Sequence, residues 1–424
     1  MPGGDGMTLF LRATFGILVS KDGGKTWRWI CERSLGYEGT WDPPIAVTKD
    51  GRLWVGLEGG LVSTKDGCEV EATPELDGET VKDLTTDPKG ETLWAITGAP
   101  TKKSWVWRRE DGKKFEKRSG MDDTNFMTIE VAPTRPQRVY VSGQPYGTIR
   151  GQLFRSDDGG LTLTGAKNDQ IPDGPFFIAG IDPKDPNRVL LRHLHAQGSE
   201  VLLTKDGGKT FTNVLSLKSA MYGFAKSDNG TTYWAGSGLP EHGIYRSIDR
   251  GEHFERVANK GVLCLQTAGG GRLYICENAL TPGAPIVAVS TDEGKTITSL
   301  SRFSDVEGPV ACVDPDARAS LCASSWPETR AFLAGASPDA GSRKKKRDAG
   351  PDSASDAGPD APPSSKSKCG CEIVGAPILD TDLALLIAGL LPLAVRACSR
   401  RLHGSRLIQS GRSSTTRWRE GARQ

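Results

Sequence analysis

Seven times along this chain a short apolar run ends in a turn built on Ser/Thr-x-Asp-x-Gly. The clear copies are Ser20-Lys21-Asp22-Gly23, Ser156-Asp157-Asp158-Gly159, Thr204-Lys205-Asp206-Gly207, Ser247-Ile248-Asp249-Arg250-Gly251 and Ser290-Thr291-Asp292-Glu293-Gly294. Weaker copies are Thr64-Lys65-Asp66-Gly67 and Arg109-Glu110-Asp111-Gly112, where Glu110 takes the acidic position. The acids at 22, 66, 110, 158, 206, 249 and 292 are spaced by 43 to 48 residues, the length of one four-stranded propeller blade.

The turn has a local explanation. A hydroxyl and a carboxylate two residues apart accept hydrogen bonds from nearby backbone N–H groups, and glycine supplies the positive φ of the reversal. The seven acids are therefore expected to be structural. Five residues beyond them stand Trp27, Glu71, Phe115, Leu163, Phe211, Phe254 and Ile297, so six units place an apolar side chain where neighbouring blades would meet. Short β-branched and aromatic runs such as Leu53-Trp54-Val55 and Val139-Tyr140-Val141 read as strands. The expected fold is all-β: a seven-bladed β-propeller with four-stranded blades over residues 1–335.

These turns resemble the Asp-box, or BNR, repeat of sialidases, sortilin-type receptors and the photosystem II assembly-factor propellers. Ile181-Asp182-Pro183 through Val189, and Ala132-Pro133 through Val139, are similar to strand entries of the latter two groups. The resemblance covers roughly residues 8 to 325 and speaks for fold, which hosts many functions.

At 424 residues the chain is longer than about 300 residues of propeller require. Residues 336–368 are rich in Asp, Ala, Gly, Pro and Ser, with Lys344-Lys345-Lys346-Arg347 among them, and read as a disordered spacer. Residues 369–406 hold Cys369-Gly370-Cys371, the apolar stretch Leu383 to Val395 and then arginines; residues 407–424 form a polar tail. That order resembles the MYXO-CTERM sorting tail of myxobacterial surface proteins, which implies Cys369 or Cys371 as the processing or anchor position. The alternative is a partly buried C-terminal hairpin or a frame-shifted tail. With a net charge of +2 and no basic face, nucleic acid is not an expected partner.

Six of the nine cysteines lie in the propeller region: Cys31, Cys68, Cys264, Cys276, Cys312 and Cys322. Their even number suits disulfides in an oxidising compartment, with Cys31–Cys68, Cys264–Cys276 and Cys312–Cys322 as the pairs expected from proximity; unrelated buried thiols are the alternative. Met1 to Arg12 carries no signal-peptide pattern. Either the start lies inside a longer product whose signal peptide and one strand precede it, or the protein is cytoplasmic. Pro309 to Pro315 reads as a first strand returning to complete blade one, followed by a cap helix over Trp326 to Leu333.

Catalysis by a sialidase-type site needs clustered arginines, a Tyr–Glu nucleophile pair and an acid. Arg138, Arg188, Arg192, Tyr140 and Tyr245 are available, but the remaining signature is missing. His193 and His195 share a strand face and could bind metal, yet no third ligand is evident. The expectation is a non-catalytic, surface-displayed propeller, monomeric and without metal or cofactor. Its partners would be a protein or polysaccharide and, through its tail, the envelope membrane. The alternatives are a sialidase-like glycoside hydrolase and a propeller-type assembly factor for a membrane protein.

Overall fold

The computed structural model describes residues 7–38, 42–99, 103–165, 173–277, 285–314 and 317–334. All of them belong to the first of two units into which the chain divides, Met1–Gly350. The spacer, Cys369, Cys371 and the polar tail lie outside the described residues.

Seven four-stranded sheets form a β-propeller. Blades three to seven begin with Val81–Thr86, Thr124–Val131, Phe176–Ile181, Met221–Lys226 and Val262–Ala268, and blade two with Ile45–Val47. In each, the chain runs antiparallel from this first strand to the fourth in sequence order. First strands of successive blades pack on one another around the central channel.

Alternation along the strands buries one apolar set against each neighbouring blade, so the core divides into blade interfaces. Trp54, Leu61 and Ala46 of blade two pack with Leu93, Ala95 and Trp107 of blade three, for example. The residue five positions past the turn acid joins such an interface in six units: Trp27, Phe115, Leu163, Phe211, Phe254 and Ile297. In the remaining unit Glu71 is exposed and Val70 takes over the packing.

Ring closure departs from the expectation. The returning strand is Val306–Pro309, not Pro309 to Pro315, and it lies parallel to Trp27–Ile30 on the outer side of blade one. Two disulfides then tie the chain down: Cys31–Cys322 and Cys68–Cys312, spanning 291 and 244 residues. These replace the expected Cys31–Cys68 and Cys312–Cys322 pairs, because blade closure brings residues far apart in sequence side by side. Cys264–Cys276 forms as expected, its residues facing each other across adjacent strands. The final helix, Leu321–Leu333, begins earlier than expected and carries Pro327 inside it. It packs against the closing strand, and Trp326 stacks at 5.7 Å from Trp29.

Candidate functional site at the central channel

The turn acids sit at the end of the propeller where third and fourth strands meet. Ser156 donates to Asp158 at 2.7 Å and accepts the Gly160 N–H at 2.8 Å. Asp158 in turn accepts both the N–H and the hydroxyl of Thr162. Hydrogen bonds from Thr162, then Ser156, hold its carboxyl down at about 2. Equivalent bonds surround Asp22, Asp206, Asp249 and Asp292. Asp66 accepts two backbone N–H groups, from Cys68 and Glu69. Glu110 instead pairs with Lys113 and Arg108. Each carboxylate is used by its own turn or by neighbouring cations.

The arginines and tyrosines singled out above are likewise committed. Arg138, only 6% exposed, bonds Asp157 and Asn187, and Tyr140 donates to the Pro186 carbonyl at 2.8 Å. Arg188, 5% exposed, bonds the Arg250 carbonyl and Glu252. Tyr245 packs at the blade five–six interface. Arg192 donates to the Met221 carbonyl and lies over the Phe177 ring. His193 is wholly buried beside Phe176 with its Nδ1 3.2 Å from Glu200, and His195 meets Gln197. Among the described residues no three His, Cys, Asp or Glu side chains are grouped to hold a metal ion.

Different residues line the channel. A bulge recurs in the first strand of blades three to seven, between Val81 and Asp83, Phe126 and Thr128, Ile178 and Gly180, Met221 and Gly223, and Val262 and Cys264. Each bulge disturbs the ladder and re-aims side chains. Polar groups then link strand to strand. Asp83 accepts the Ile129 N–H at 2.9 Å, and Thr85 donates to Glu130 at 3.1 Å, joining blades three and four. Thr128 accepts the Ile178 N–H, joining four to five. Lys226 donates to the Ile181 carbonyl, and Thr267 donates to the Lys226 carbonyl, carrying the collar through to blade seven.

Burial, reinforced by the neighbouring Glu130, pushes the Asp83 carboxyl up to about 7, with Arg12 opposing. Burial also raises Glu130 against the charge of Lys226, and lowers Lys226 against Glu130 and Asp182. Two carboxyls on adjacent inner strands are thus both biased towards the protonated form by burial, and Asp83 can hold a proton near neutrality. Sequence reasoning missed all three groups. The available signal was a charged residue inside an otherwise strand-like run, as in Thr128-Ile129-Glu130-Val131.

No family model matches the chain, and no curated protein matches it. Solved propellers do. A GH74 xyloglucanase from Xanthomonas campestris is 14% identical with a TM-score of 0.37, over 70% of this chain and 62% of that one. YCF48 bound to D1 peptide is 14% identical with a TM-score of 0.39, over 61% and 74%. Hydrazine synthase from Kuenenia stuttgartiensis is 13% identical with a TM-score of 0.48, over 68% and 93%. The chain therefore spans less than two thirds of the xyloglucanase. At these identities the likeness concerns fold alone.

Proposed function

We propose that the protein is a non-catalytic, envelope-displayed propeller that binds a polypeptide ligand at its central channel. The observation behind this reading is the commitment of Arg138, Arg188 and Tyr140 to bonds between loops and blades. Arg138, Arg188 and Arg192 are thereby engaged within the protein and do not form a clamp for a sugar carboxylate. The three disulfides favour folding in an oxidising compartment. Because a propeller scaffold carries many functions, the site and not the fold bears the argument.

One observation favours a second reading. Asp83 and Glu130 are paired carboxyls with raised affinity for protons, the requirement for a general acid in glycoside hydrolysis. The deciding experiment incubates the full-length protein with xyloglucan and sialyllactose, and in parallel screens peptide and polysaccharide arrays. Peptide binding without sugar turnover is expected. Turnover that disappears in Glu130→Gln would establish the hydrolase instead.

A further inference from the structure

The turns that join first and second strands are built alike in blades two and six, apart from one chemical difference. In blade two, Thr48-Lys49-Asp50-Gly51-Arg52 leads from Ile45–Val47 to Leu53–Leu57. The Thr48 hydroxyl donates to Asp50 Oδ1 at 2.7 Å, the Arg52 N–H donates to the same oxygen at 3.3 Å, and the Gly51 N–H donates to the Thr48 carbonyl at 2.9 Å. In blade six, Ser227-Asp228-Asn229-Gly230-Thr231 follows Met221–Lys226 and precedes Tyr233–Ser237. The Ser227 hydroxyl donates to Asn229 Oδ1 at 2.7 Å, the Thr231 N–H donates to it at 3.0 Å, and the Gly230 N–H donates to the Ser227 carbonyl at 2.9 Å.

The turn needs one acceptor oxygen, and Asp50 shows that a carboxylate supplies it. Asn229 brings a nitrogen that the turn does not use. Its Nδ2 has no hydrogen-bond partner among the described residues, and the backbone N–H bonded to Oδ1 fixes which amide atom is the oxygen. Where blade two has Arg52, blade six has Thr231, whose hydroxyl donates to Asn229 Oδ1 at 2.7 Å. Asn229 and Thr231 are exposed, whereas Gly230 between them is buried against Pro183 of blade five. Asn229-Gly230-Thr231 is also the one Asn-x-Ser/Thr triplet in the 424 residues.

We propose that Asn229 is an N-glycosylation site, with Nδ2 as the atom that carries the sugar and Thr231 as the hydroxyl residue the transfer requires. In the transfer, Nδ2 bonds to the anomeric carbon of a sugar diphosphate, that carbon's bond to the diphosphate oxygen breaks, and one Nδ2 proton passes to a base of the transferring enzyme. Nothing is oxidised or reduced. The turn engages Oδ1 from three donors and so holds the amide with Nδ2 outward. Two donors share this chemistry: a lipid-linked oligosaccharide, used during export, and a nucleotide-linked single sugar, used in the cytoplasm. The three disulfides favour the first. The inference goes beyond polypeptide binding and shares with that reading only the oxidising compartment.

The test isolates the full-length protein from its own host, maps the peptide holding Asn229 by tandem mass spectrometry, and titrates free thiols in the same sample. An adduct of several sugar residues on Asn229 is expected. It should be lost in Asn229→Asp, which keeps the acceptor oxygen that Asp50 supplies in blade two and should melt at the temperature of the unvaried chain. It should also be lost in Thr231→Ala and return in Thr231→Ser. An Asn229 that is unmodified or merely deamidated would overturn the site, as would an adduct that persists in Thr231→Ala. If that result comes with all three disulfides intact, the envelope reading stands without the site. A single sugar on Asn229 in a chain with reduced thiols would uphold the site and overturn the envelope reading.

Discussion

The Tyr233 hydroxyl donates to the Asp182 carboxylate at 2.6 Å, across the boundary between blades five and six. Asp182 has no exposed surface, and it also accepts the Lys184 and Asp185 N–H groups and the Arg250 guanidinium. Arg250 holds a positive φ of 64° because it stands where other turns carry glycine, a conformation that costs a non-glycine residue about 1 kcal/mol or more. One carboxylate thus fixes a strand end, a neighbouring blade and a turn.

Asp182→Ala is expected to destabilise the propeller by about 2–3 kcal/mol, since it leaves the buried Tyr233 hydroxyl and the part-exposed Arg250 without their acceptor. Tyr233→Phe removes one donor only and should cost about 1–2 kcal/mol. Urea unfolding of the two variants measures both. Equal losses would show that Asp182 acts through Tyr233 alone.

The Cys31–Cys322 bond encloses most of the propeller, and both residues are buried. Cross-linking so long a loop restricts the unfolded chain strongly, on a chain-entropy account, and Cys31→Ala with Cys322→Ala should lower stability by about 3–5 kcal/mol. Replacing Cys264 and Cys276, which enclose a far shorter loop, should cost less. The order of the two urea midpoints tests the account, and a reversed order would refute it.

The repeat made blade number and strand order legible, because each turn is a local device whose Ser/Thr, Asp and Gly lie within a few residues. Closure was not legible in the same way. Cys312 is near Cys322 in sequence, but the strand Val306–Pro309 carries it to blade two and Cys68. The channel residues were hidden for a related reason. Asp83, Glu130 and Lys226 lie in three different repeats, and only the bulged inner strands bring them into one collar. Arg138 and Arg188 looked available because sequence shows a charge without its partner.

At the turns, the hydrogen bonds that Asp206 accepts from Thr204, Lys209 and Thr210 are local and partly exposed. Asp206→Ala should therefore cost about 1 kcal/mol or more and leave ligand binding unchanged. Thermal unfolding paired with a binding titration separates the two effects. Lost binding at unchanged stability would show that the turn contacts ligand.

Proton binding distinguishes the channel from the turns. Asp22, Asp158, Asp206 and Asp292 have carboxyls held at about 2, so their contribution is present above the ordinary value of 3.8 and disappears as pH falls towards 2. Asp83 has the opposite sign. With its carboxyl raised to about 7, the folded state binds a proton that the unfolded chain has released, so that contribution is complete below the ordinary value of 3.8 and is lost as pH rises from there to about 7. Stability should accordingly decline between about pH 4 and 7 and level off above that. In Asp83→Asn, where the amide oxygen can still accept the Ile129 N–H, that decline should flatten while the acid limb below pH 4 persists. Urea midpoints across pH 2 to 9 give the comparison, and an unchanged slope between about pH 4 and 7 in the variant would place the titrating group elsewhere.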